Sequence, residues 1–134
     1  MSEFFRDLLA NGRLNVGDDM YSATRAFRLN VQADGNLVLY VIDDTTLPRD
    51  RIEGPDVNYI PIWGTDTNGT DVNHCVMQTD GNLVLLNAAN VPRWGSGTQG
   101  HPNAFLRCQS DGNLVIYTVD GRPIWASNTN AGVR

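Results

Sequence analysis

The sequence predicts an all-β domain with pseudo-threefold symmetry, and three observations carry that prediction. One motif occurs three times, beginning at Gln32 (Q-A-D-G-N-L-V-L-Y), at Gln78 (Q-T-D-G-N-L-V-L-L) and at Gln109 (Q-S-D-G-N-L-V-I-Y). Trp63, Trp94 and Trp125 are equally spaced along the chain and open the related runs W-G-T-D-T-N, W-G-S-G-T-Q and W-A-S-N-T-N. No helical periodicity of useful length follows Gly12, and turn signals recur at short, regular intervals between apolar runs. Evenly spaced short strands indicate an all-β domain, and a fixed period indicates one supersecondary unit repeated.

Each element can be argued in chain order. The start, Met1 to Asn11, holds Phe4, Phe5, Leu8 and Leu9, but Glu3, Arg6 and Asp7 break the apolar run and no small-residue cleavage site follows. It does not read as a secretory signal. The expectation is a soluble protein that is cytoplasmic, exported by a non-classical route, or already in its mature form. The residues before Leu9 are expected either to cap an open sheet edge or to mediate a contact.

Each D-G pair, flanked by alternating apolar residues, predicts a hairpin. A three-residue loop with glycine in the left-handed position sets Gln32 opposite Asn36, Val31 opposite Leu37, Asn30 opposite Val38, Leu29 opposite Leu39 and Arg28 opposite Tyr40. Residues directly opposite share a face. Leu29, Val31, Leu37 and Leu39 are then core, while Gln32, Asn36, Val38 and Tyr40 face outward with Asp34 at the turn. The same register gives inner faces of Cys75, Met77, Leu83 and Leu85, and of Leu106, Cys108, Leu114 and Ile116, all apolar. A two-residue loop would mix the faces.

A strand ending in each tryptophan and one more after each S/T-x-T run would complete four strands per unit. The tryptophans are expected to form the centre of the assembly, with sugar stacking as the alternative. The stretch from Tyr40 to Trp63 is far longer than those from Leu86 to Trp94 and from Tyr117 to Trp125, so repeat one carries an insertion. The organisation expected is a single domain, 1–134: repeat one about 20–63 with an insertion about 43–59, repeat two about 64–94, repeat three about 95–125, and a C-terminal strand 126–134. The insertion, charged through Asp43, Asp44, Arg49, Asp50, Arg51, Glu53 and Asp56, reads as a solvated loop or as a secondary contact for a longer ligand or a second subunit.

Composition excludes several functions. No apolar run approaches the roughly 18 residues of a membrane span, so no membrane insertion is expected. A formal charge of −5 with scattered arginines argues against nucleic acid as partner. Cys75 and Cys108 fall on core-facing positions and read as free buried thiols, a mutual disulfide being the alternative. The D-G-N turns lack the alternating carboxylates of a calcium loop, and His74 and His101 have no ligand-spaced companion. No metal, no cofactor and no catalytic constellation is expected. Local turn chemistry alone would explain D-G-N, but not a glutamine and a tyrosine on the same outward face.

The motif Q-x-D-x-N-x-V-x-Y resembles the mannose-binding signature of the bulb-type (monocot-type) lectins. Pro123-Ile124-Trp125-Ala126-Ser127-Asn128-Thr129 is similar to that family's tail. Leu9-x-x-Gly12-x-Leu14-x-x-Gly17-x-x-Met20 is similar to its opening. The resemblance runs from about Leu9 to about Asn130 and implies a β-prism II fold of three four-stranded antiparallel sheets, each able to carry one shallow site. It implies that Asp34 and Asn36 bind the axial O2 of mannose, Gln32 binds O3, Tyr40 binds O4 and Val38 packs on the ring. Gln109, Asp111, Asn113, Val115 and Tyr117 repeat the set. Gln78, Asp80, Asn82 and Val84 are present in repeat two, but Leu86 replaces tyrosine, so that site is expected to be impaired. The implied function is non-catalytic, metal-independent, multivalent recognition of mannose or mannosylated glycans by a homodimer. A protein-binding module on the same scaffold is the alternative function. The alternative fold is a β-trefoil, whose units are longer than the tryptophan spacing found here.

Overall fold

The computed structural model describes residues 3–4, 6–42 and 59–130. The described residues form strands β1 (Glu3–Phe4), β2 (Asp7–Leu8), β3 (Arg13–Asn15), β4 (Asp19–Tyr21), β5 (Phe27–Val31), β6 (Leu37–Ile42), β7 (Tyr59–Gly64), β8 (Val72–Met77), β9 (Leu83–Asn87), β10 (Pro92–Gly95), β11 (Phe105–Cys108), β12 (Leu114–Tyr117) and β13 (Pro123–Ala126). They assemble into three sheets, ordered β1-β4-β5-β6-β7, β10-β9-β8-β3 and β13-β12-β11-β2. Each holds a four-stranded antiparallel unit, and sheet one gains β1 as a short parallel edge strand. This is the all-β prism the repeats predict. The N-terminal residues Glu3–Phe4 cap a sheet edge, one of the two roles expected of them.

The hairpin register is the predicted one: Arg28 pairs with Tyr40, Leu29 with Leu39, Asn30 with Val38 and Val31 with Leu37. The loop closes with Gln32 N–H donating to the Asn36 carbonyl at 2.9 Å, and Gly35 sits at φ 93°. That left-handed conformation is one glycine adopts at no steric cost. A side chain there would also lie 2.7 Å from the Thr70 carbonyl oxygen, so the turn is pressed against the following loop.

The core is the inner face of all three hairpins. Leu29, Val31, Leu37, Leu39, Cys75, Met77, Leu83, Leu85, Leu106, Leu114 and Ile116 are fully buried. Trp63, Trp94 and Trp125 pack against this core, meeting edge to face with centroids 6.1, 5.5 and 6.0 Å apart. A triad of nearly equal separations is the pseudo-threefold symmetry made physical, and edge-to-face contact is the favoured aromatic geometry. Cys75 and Cys108 are free and buried, and burial pushes both thiol pKa values up to about 12, which keeps them protonated.

The fourth strands depart from expectation. After the runs ending at Thr67 and Thr98 the chain turns into the next hairpin. The fourth antiparallel strands are instead β4, β3 and β2, all from the chain up to Tyr21. The entry segment visits sheet three, then two, then one. Leu8, Leu14 and Met20, evenly spaced and buried, face Leu106, Cys75 and Leu29. Leu9, placed in the opening motif by sequence, is 62% exposed, and its neighbour Leu8 takes the core position. The segment 43–58 of the insertion and residues 131–134 of the C-terminal strand lie outside the described residues; of the rest, 127–130 are not strand.

Candidate functional site

On the outer face of sheet one, Gln32, Asp34, Asn36, Val38 and Tyr40 line one open cleft of about 470 Å³. Pro61, Trp63 and Gly64 of β7 close its other side, with Asp66 and Asn68 from the run beyond. The P-x-W order produces that wall. A β-bulge pairs Trp63 with Leu39 and Pro61 with Tyr40, which sends tryptophan to the central triad and proline to the outer face. β7, β10 and β13 are edge strands, where a proline's missing N–H breaks no ladder.

The polar groups are oriented by one another. Tyr40 Oη donates to Gln32 Oε1 at 2.8 Å, and Asp34 Oδ1 accepts the Asn36 backbone N–H at 3.0 Å. In repeat three Tyr117 Oη donates to Gln109 Oε1, and Gln109 Nε2 donates to Asp111 at 3.2 and 3.3 Å. Asp111 Oδ1 accepts from Asn113 N–H at 2.9 Å. Val38 and Val115 lie between these groups and are nearly covered, at 5% and 3% exposure.

The S/T-x-T runs have a role that sequence reading missed. Asn36 Oδ1 accepts from Thr65 Oγ1 at 3.1 Å and Thr67 N at 3.3 Å. Asn113 Oδ1 accepts from Ser127 Oγ, Asn128 N and Thr129 N at 3.2, 2.9 and 3.3 Å. Asn82 repeats the pattern with Ser96, Gly97 and Thr98. The middle residue of each run, Asp66, Gly97 or Asn128, is left-handed, at φ 58°, 75° and 62°. These are the residue types that tolerate that region, and this was the signal in the sequence. Thr67, Thr98 and Thr129 then donate to the turn carbonyls of Gly35, Gly81 and Gly112 at 2.6, 2.5 and 2.5 Å.

These contacts orient the two amides. Both side-chain oxygens are used within the protein, so what faces the cleft is two N–H₂ groups, the carboxylate of the turn and the tyrosine oxygen. Among the described residues no acceptor meets Nδ2 of Asn36 or Asn113. Each tyrosine is braced as well. Arg28 lies 5.9 Å from the Tyr40 ring and pairs with Asp19 at 2.9 Å, while Tyr59 meets Tyr40 edge-on at 6.1 Å. Phe105 stacks on Tyr117 at 5.8 Å, with Arg107 beside both rings and paired to Asp7 at 2.8 Å.

Known proteins share this arrangement of chain. The mannose-specific agglutinin of snowdrop (Galanthus nivalis) bulbs, solved with methyl α-D-mannoside, is 35% identical with a TM-score of 0.67, over 95% of this chain and 99% of that one. A monomeric monocot mannose-binding lectin from Gastrodia elata is 31% identical with a TM-score of 0.72, over 94% and 99%. The chain belongs to the bulb-type mannose-binding lectin family. A B-type lectin of the fish Scorpaena plumieri, plumieribetin, is 31% identical over 82 residues, which span 61% of this chain and 58% of that protein's length. No family model matches the sequence. Relatives that are lectins place the chain among binding proteins rather than enzymes.

Within this lectin the second repeat differs. Gln78, Asn82 and Val84 share a cleft of about 410 Å³ with Leu86, Asn90, Pro92, Trp94 and Gly95. Asp80 instead lines a neighbouring cleft with Asn11, Val76, Gln78 and Thr79. Lacking a tyrosine, Gln78 makes no side-chain hydrogen bond to any described residue. Opposite Leu86 stands His74, buried, its pKa held below 6.5 by desolvation and by the charge of Arg13. Among the described residues no three His, Cys, Asp or Glu side chains converge as a metal-holding group, and no helix is long and apolar enough to cross a membrane.

Proposed function

We propose that this lectin binds α-linked mannose and mannosylated glycans at the cleft of repeat one and at the matching outer face of repeat three, without metal, cofactor or catalysis. The observation that supports this best is the pinned outward set of Gln32, Asp34, Asn36, Val38 and Tyr40, repeated as Gln109, Asp111, Asn113, Val115 and Tyr117. Two amide donors, one carboxylate and one phenol oxygen around an apolar patch suit a ring bearing adjacent hydroxyls, each of which donates and accepts. Asp34 and Asn36 take the axial O2, Gln32 takes O3, Tyr40 takes O4, and Val38 packs on C3 and C4. The Tyr40 proton is given to Gln32, so the tyrosine oxygen accepts from the O4 hydroxyl. Repeat two, without its tyrosine, is weak toward mannose.

Single shallow sites gain effect by linkage, which raises avidity by roughly 10²–10⁴ when geometry allows simultaneous engagement. Two mannose sites per chain permit crosslinking, and a homodimer doubles them. Calorimetric titration with methyl α-mannoside, with and without chelator, tests the reading. Two sites per chain insensitive to chelation are expected, and a preference for galactose or loss on chelation would overturn it. Light scattering of the full chain should give a dimer; a folded monomer would remove the dimer and leave the sites.

A further inference from the structure

We propose that the cleft of repeat two takes a different ligand: a mannoside whose O4 carries an apolar group, such as a 4-O-methyl ether. This rests on the reading that sugars lie in these clefts with O4 toward the tyrosine position. Repeat two is not a collapsed copy, since its cleft of about 410 Å³ is close to the 470 Å³ of repeat one. Gln78 and Asn82 stay on its wall, and Asn82 Oδ1 is clamped by Ser96 at 3.0 Å and Gly97 at 2.9 Å as in the other repeats. Beside Leu86 stands Pro92, its partner across the strands, with Val84 lining the same cleft. Leu86 is itself only 8% exposed, so its remaining surface is a shallow apolar seat rather than a protruding side chain.

The chemistry at O4 is opposite in the two kinds of site. In repeats one and three the tyrosine proton is committed to glutamine, so the phenol oxygen needs a hydroxyl that donates. A methylated O4 has no proton to give and leaves that oxygen unpaired, the kind of loss a polar site rejects strongly. In repeat two Leu86 offers a free O4 hydroxyl no hydrogen-bond partner in the place of the tyrosine, whereas a methyl group there buries apolar surface. Asn90 is the remaining polar group lining this cleft, while the His74 imidazole behind Leu86 is hydrogen-bonded to Asn73 Oδ1 at 2.6 Å. Preference for the ether over the free hydroxyl at this cleft should be about tenfold or more.

The test is a methyl-detected NMR titration of the whole chain with methyl α-D-mannopyranoside and with its 4-O-methyl ether. The Leu86 and Val84 methyl signals should move with the ether at about one tenth the concentration the parent mannoside requires. Val38 and Val115 should respond to the parent alone. Leu86→Tyr should reverse the preference reported by Val84, and if that variant does not fold the wild-type titration decides. Leu86 and Val84 responding to the parent equally or better, or to neither sugar, overturns the proposal, while a response of Val38 and Val115 to the parent keeps the mannose reading. Silence of Val38 and Val115 toward the parent removes that reading and this proposal with it.

Discussion

Replacing Asn113 separates the two jobs of one side chain. Its oxygen accepts from Ser127 Oγ at 3.2 Å, Asn128 N at 2.9 Å and Thr129 N at 3.3 Å, while its Nδ2 meets no acceptor among the described residues. Asn113→Ala removes all three acceptor contacts. Asn128 is exposed and recovers a bond from water, but Ser127 and Thr129 are half-buried. Two bonds at about 0.5–1.5 kcal/mol each give a loss of about 1–3 kcal/mol. For a chain of this size that lowers the melting temperature by roughly 3–10 °C. Asn113→Asp keeps an acceptor oxygen and the fold, costing under about 1 kcal/mol, but it removes the outward donor and sets a second carboxylate beside Asp111. Scanning calorimetry reads the first effect and mannoside titration the second. Both variants should fall from two sites to one, and only the alanine should melt early. An aspartate variant that still binds at two sites, or an alanine variant with unchanged melting, would refute the division of roles.

Three further outcomes follow from the same geometry. Asp34→Ala and Asp111→Ala should each remove one binding event by calorimetry and the double variant nearly all, while Asp80→Ala, whose side chain lies in the neighbouring cleft, should change little; an equal loss at Asp80 would reverse the ranking of the sites. Trp94→Ala breaks two of the three contacts in the central triad and should cost about 3 kcal/mol or more in denaturant unfolding, with a near-neutral result placing the fold's support elsewhere. His74 is held below its ordinary 6.5 in the folded chain, so the unfolded chain binds a proton first as pH falls. The stability His74 allows is present above 6.5 and is lost as pH drops toward its folded pKa. The denaturation midpoint should fall between about pH 7.5 and about pH 5.5, and His74→Leu should flatten that slope.

Much of the site was legible because its chemistry is local. Gln32, Asp34, Asn36, Val38 and Tyr40 lie within one hairpin, where a D-G turn sets the register and the strand's alternation sorts inward from outward. Repetition tested that register twice more, with Met77 and Cys108 falling on buried positions as Val31 does. The orientation of the amides was not legible. Asn36 and Gln32 carry both a donor and an acceptor, and which end turns outward depends on Thr65 and Thr67, far along the chain, and on Tyr40 across the hairpin. The braces behind the tyrosines, Arg28 with Asp19 and Arg107 with Asp7, likewise join separate strands, in the second case from opposite ends of the chain.

The sequence by itself determined three hairpins, their inner and outer faces, the tryptophan spacing and the lectin family, because turn residues and alternating polarity act over a few neighbours. Only the tertiary structure decided where the fourth strands come from. A strand as short as Asp7–Leu8 or Arg13–Asn15 has too little periodicity to declare itself. It exists because Leu8, Leu14 and Met20 each find the open edge of a different sheet and an apolar partner there, a choice made by packing rather than by local preference.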